Sequence, residues 1–71
     1  MRTHRYRITI AGGLGQTGRE AFGDFAIKSA GSDTVLITGT LDQAALYGAL
    51  HRILSLGLEL VELSRLADGT G

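Results

Sequence analysis

The stretch 41–56 constrains this chain most. Leu46, Ala49, Leu50, Ile53 and Leu54 recur at i, i+3, i+4, i+7 and i+8, the spacing that gathers apolar side chains onto one helix face. Gly48, His51, Arg52 and Ser55 fall opposite. Thr40 with Gln43 three residues on has capping-box spacing, and Asp42 in the first turn suits the positive end of the helix dipole. Gly57 is placed to stop the helix in the left-handed region. The pattern predicts a helix over Leu41–Leu56, and its apolar stripe needs a surface to bury it.

That surface is a sheet. Arg5-Tyr6-Arg7-Ile8-Thr9-Ile10 alternates, with Tyr6, Ile8 and Ile10 on one face and Arg5, Arg7 and Thr9 on the other. Asp24–Lys28 reads as a second strand with Phe25 and Ile27 inward. Thr34–Gly39 reads as a third with Val35 and Ile37 inward, joined to the second by a loop of about five residues. Leu58–Ser64 reads as the last strand. Between the first two strands, Thr17 and Glu20 repeat the capping-box spacing and predict a short helix near 18–22, stopped by Gly23.

The order β-α-β-β-α-β is that of an α+β, ferredoxin-like split βαβ fold. It predicts a four-stranded antiparallel sheet of order 4-1-3-2 with both helices on one face. With 71 residues, the chain has room for a single domain, 1–71, whose ordered core spans about 4–66, with 67–71 as a loose tail and Met1–Thr3 as a frayed start.

Composition excludes several functions. No cysteine is present, so disulfides and thiolate metal sites are impossible. His4 and His51 are the only histidines, and neither has the spacing or companions of a metal site. No nucleophile–base–orienter set is visible, so the chain reads as non-enzymatic, with no cofactor. The apolar runs are too short for a signal peptide or a membrane span, which predicts a cytoplasmic protein without membrane contact.

Net charge is zero, yet Arg2, Arg5, Arg7 and Arg19 crowd residues 1–19, which contain no acid. A neutral domain offers phosphates little attraction, and the outward positions of the first and third strands carry no aromatic ring for base stacking. Nucleic acid is therefore not expected as a partner. The arginines are expected to pair with acids in the fold, Arg5 or Arg7 with Glu62 or Glu59 across neighbouring strands.

Gly13-Leu14-Gly15-Gln16-Thr17-Gly18 matches G-x-G-x-x-G, with Asp33 about twenty residues beyond. The context fails, because the following helix is short and Asp33 falls in a hairpin. A phosphate-binding loop fails too, since Arg19 and Glu20 stand where Lys and Ser/Thr are needed. What the loop retains is the place where ACT-like regulatory domains hold small effectors. Gly12, Gly13, Gly15, Gln16 and Thr17 are accordingly the alternative, ligand-binding site.

The last strand, Leu58-Glu59-Leu60-Val61-Glu62-Leu63, does not alternate consistently. If Val61 and Leu63 face the helices, Leu58 and Leu60 face away, and the reverse choice exposes Val61 and Leu63. Either reading adds apolar side chains to an uncovered sheet face beside Leu36 and Ala26, and such a patch marks an association surface. A strand twisted at its end, with Leu58 tucked under the helix, is the structural alternative. The expected function is a protein–protein interaction module that self-associates into a homo-oligomer, or binds another protein, through its open sheet face or an edge strand. Arg5, Arg7, Leu36, Thr38, Leu60 and Glu62 would form the contact face.

Residues 41–66, LDQAALYGALHRILSLGLELVELSRL, resemble a stretch in short uncharacterised actinobacterial proteins. Those proteins similarly open on a Y-R-I-type strand and carry a D-Q-A-A-L helix followed by L-G-L and a strand. Asp42, Gln43, Ala44, Ala45 and Leu46 carry the resemblance, with Leu56-Gly57-Leu58 next. It implies a bacterial family with the same helix–turn–strand and no known activity.

Overall fold

The computed structural model describes residues 2–66, so the expectations for Met1 and for 67–71 lie outside the described residues. The elements are β1 (Tyr6–Ile10), α1 (Gly15–Ala21), β2 (Ala26–Ala30), β3 (Asp33–Ile37), α2 (Gln43–Ser55) and β4 (Leu60–Arg65). The fold is α+β, with a four-stranded antiparallel sheet of order β2-β3-β1-β4, the expected 4-1-3-2 read from its other end. Ile8, Ile10 and Leu36 from one sheet face meet Leu14 and Phe22 from either end of α1, and Ala49 and Ile53 from α2. Both helices therefore cover the same face.

Helix α2 begins later than the capping-box spacing suggested. Leu41 exchanges two backbone hydrogen bonds with His4, at 2.8 and 3.0 Å, and is held in a bridge rather than a helical turn. Asp42 becomes the N-cap, accepting the Ala45 N–H at 2.8 Å, so Thr40 caps nothing. At the other end Gly57 adopts φ 72°, Gly57 N–H donates to Leu54 O at 3.1 Å and Leu58 N–H to Ile53 O at 3.1 Å. These are the paired bonds of a Schellman stop, and half-buried Leu58 packs on the core beneath the helix end. Leu46, Ala49 and Ile53 are buried as the stripe predicts, but Leu54 is 73% exposed.

Helix α1 also differs. It starts at Gly15, where φ is 70°, and Thr17 lies inside it rather than capping it. Gly18 is buried against Leu14, and a β-carbon there would stand 2.9 Å from the Leu14 Cβ.

The β2–β3 connection is shorter than the five residues expected. Ala30 pairs with Asp33 across Gly31-Ser32, with Gly31 at φ 63°, as a two-residue turn with glycine first requires. The face of β3 is the reverse of the sequence reading. Leu36 is fully buried opposite Ile8, and Thr34 and Thr38 are buried with it, whereas Val35 and Ile37 lie half-buried on the open face. Val35-Leu36-Ile37 is apolar throughout, so alternation favoured turning the threonines outward. They tolerate burial because the backbone satisfies their hydroxyls. Thr34 Oγ1 donates to Gly12 O at 2.7 Å, and Thr38 Oγ1 donates to Gly39 O at 2.6 Å while accepting Tyr6 N–H at 3.0 Å.

Candidate interaction surface

The irregular alternation of the last strand has a structural cause. Ile10 opposes Leu60 and Thr9 opposes Glu62, so Val61 is an extra residue, a β-bulge. Directly opposed residues share a face. Leu60, opposite Ile10, and Leu63, opposite Ile8, therefore both lie on the helix side, a combination unavailable to a strictly alternating strand. Neither strictly alternating choice holds, whereas Leu58 tucked under the helix end agrees with its packing on the core.

The helices leave this side of the sheet incompletely covered. Leu60, Val61 and Leu63 are 42, 53 and 38% exposed. On α2, Arg52 lies about 100° from Ile53 on the flank that reaches the end of α1, and Leu54 lies about 100° the other way. That second flank carries exposed Leu54 and Tyr47 and is turned away from α1. Apart from Leu56 at the end of α2, the large exposed apolar residues among those described lie along β4 and one flank of α2.

Among the described residues, no strand pairs with the outer edge of β4. Leu66 N–H donates to Arg5 O at 2.8 Å, which directs the main-chain groups of Leu66, Ser64 and Glu62 toward β1. The N–H and C=O groups of Leu63 and Arg65 consequently point outward. No proline interrupts the strand, and its bulge sits at the N-terminal end, leaving 62–65 in regular register.

The six residues expected on one contact face separate. Arg5, Arg7 and Glu62 are exposed, and the Arg7 guanidinium lies 3.8 Å from the Glu62 carboxylate across β1 and β4. The cross-strand pairing of a basic residue with Glu62 is as expected. Leu36 and Thr38 are corrected to the core, at 0 and 2% exposure, and Leu60 to the helix side of the β4 edge. The open face that remains carries Arg7, Thr9, Lys28, Val35, Ile37 and Glu62, a mixed surface rather than an apolar patch. Sequence reading missed Leu54 and Tyr47. Leu54 reads as core because it continues the stripe, and Tyr47 lies outside the stripe, its hydroxyl accepting a hydrogen bond from Gln43 Nε2 at 2.7 Å.

In the glycine loop, Gly12, Gly13, Gly15, Gln16 and Thr17 are exposed. The Asp33 carboxylate accepts Gly12 N–H at 3.4 Å, and Gly12 O accepts from Thr34. A carboxylate thus stands where an anionic effector would need a free donor. Among the described residues no three potential ligands gather to hold a metal, and no helix is long and apolar enough to cross a membrane.

A small α+β domain with a partly covered sheet face, an open face of mixed character and, among the described residues, an apolar edge strand is the class these features define. The chain belongs to the family described as a domain of unknown function, DUF8691, which matches residues 5–64. No curated protein and no solved structure matches it.

Proposed function

We propose that this chain is a non-enzymatic protein–protein interaction module on a ferredoxin-like scaffold, and that it self-associates through the β4 edge. One observation carries the reading: Leu60, Val61 and Leu63 are exposed on a strand whose outer edge pairs with no other strand among the described residues. A free edge with apolar side chains is a template for another strand. The small core of a chain this short, with no disulfide available, makes added burial through association valuable. The β4 edge suits this role better than the open face, which is mixed in charge and polarity. It also suits it better than β2, whose one large apolar side chain, Ile27, is already half-buried in the core.

Sedimentation equilibrium across the micromolar range tests the reading. The expected result is a concentration-dependent dimer that Leu63→Lys converts to monomer, because a charge is placed on the pairing edge. A strictly monomeric wild-type chain would sink it.

A further inference from the structure

The outward main-chain groups of Leu63 and Arg65 are placed to pair with another extended strand, and β4 of a second copy offers the same outward groups. Two copies related by a two-fold axis must present the same strand to each other. When that axis stands perpendicular to the sheet, opposed residues must lie on the same face. The axis then passes through a residue rather than between two.

Charge and apolar matching together select the residue. An axis at Glu62 sets that carboxylate against its own copy, and an axis at Arg65 does the same with two guanidinium groups; like charges directly opposed are destabilising. An axis at Ser64 opposes no like charges, but it sets each exposed Leu63 against an Arg65 guanidinium instead of against its own apolar copy. An axis at Leu63 opposes Leu63 to Leu63, Glu62 to Ser64 and Val61 to Arg65, with no like charges in register. The hydrogen-bond pattern is satisfied for this axis, as it is for one at Ser64, because the outward-directed residues then oppose each other. The β2 edge has no such solution at its middle, where Lys28 would face Lys28.

We infer that β4 pairs antiparallel with β4 of a second copy about a two-fold axis at Leu63, giving one sheet of eight strands, four from each copy. The inference rests on the self-association reading and adds its register. Both helix layers lie on the same side of the joined sheet. Leu60 and Leu63 of each copy then meet on the floor of the cleft between those layers, which gathers the exposed leucines into one apolar strip.

The lack of cysteine makes the register directly readable. Glu62 and Ser64 oppose each other across the axis as a non-hydrogen-bonded pair, with Cα atoms about 4.5 Å apart, within the range a disulfide spans. Glu62→Cys and Ser64→Cys are prepared separately, their folding is confirmed by circular dichroism, and they are oxidised alone and mixed. The expected result is about tenfold more covalent dimer in the mixture than in either variant alone, because identical positions are offset along the strands beyond disulfide reach. Self-linking of Glu62→Cys or Ser64→Cys, or a sedimenting dimer that gives no mixed cross-link, overturns the register and leaves self-association standing. A monomeric wild-type chain removes both.

Discussion

Replacing Arg52 should destabilise the fold more than its surface position suggests. Its guanidinium lies 5.0 Å from the Phe22 ring centroid and 5.4 Å from that of Phe25, and the two rings stack at 5.8 Å. Arg52 Nη1 donates to Ala21 O at 2.6 Å, on the last residue of α1, and lies 3.8 Å from the Asp24 carboxylate. One side chain therefore clasps the end of α1, the turn after it and α2. A hydrogen bond from a charged donor contributes about 1.5 kcal/mol at the low end, appropriate to a side chain 40% exposed. Each cation–π contact adds about 0.5 kcal/mol, and the exposed ion pair adds little. Arg52→Ala should thus cost about 2.5 kcal/mol, or a fall in Tm of roughly 10–20 °C for a domain of this size. Arg52→Lys should cost a large part of this, because an ammonium lacks the planar fork that covers a ring while bonding a carbonyl. Urea denaturation at one fixed protein concentration measures both, since association would otherwise shift the midpoint. A loss below about 0.5 kcal/mol for Arg52→Ala, or an Asp24→Ala variant equally damaged, would refute the clasp and reassign the effect to simple ion pairing.

Two further substitutions check the local reasoning. Gly48 lies within α2 with nothing within 4 Å of a β-carbon, so Gly48→Ala should stabilise by about 0.5–1 kcal/mol, whereas Gly18→Ala should cost about 1–3 kcal/mol through crowding against Leu14; equal shifts in urea midpoint would contradict the packing. Arg7→Ala removes an exposed pair with Glu62 and should cost no more than about 1 kcal/mol, while leaving binding to nonspecific RNA undetectable at physiological salt. A salt-dependent gel shift abolished by Arg5→Ala and Arg7→Ala together would revive a nucleic-acid role.

The chain by itself determined the order of elements, the α2 stripe and its Gly57 stop, the alternation of β1, and the exclusion of disulfide and thiolate chemistry. These are local properties: a 3.6-residue or two-residue period and the backbone freedom of one glycine specify them without distant contacts. What failed did so where the local signal is degenerate. Val35-Leu36-Ile37 reads equally well on either face, and only pairing of Leu36 with Ile8 buries it and turns Thr34 and Thr38 inward. Thr40 and Thr17 have capping spacing, but Leu41 is claimed by His4 and α1 starts at a left-handed Gly15, so neither threonine caps a helix. The bulge at Val61 has no sequence signature beyond broken alternation. It is decided by the register against β1, which places Leu60 and Leu63 on one side and leaves them, with Leu54, outside the cover of the helices. Tertiary structure therefore chose the surface: which apolar side chains remain exposed depends on how far two short helices reach across four strands, a long-range outcome that a period read along the chain does not contain.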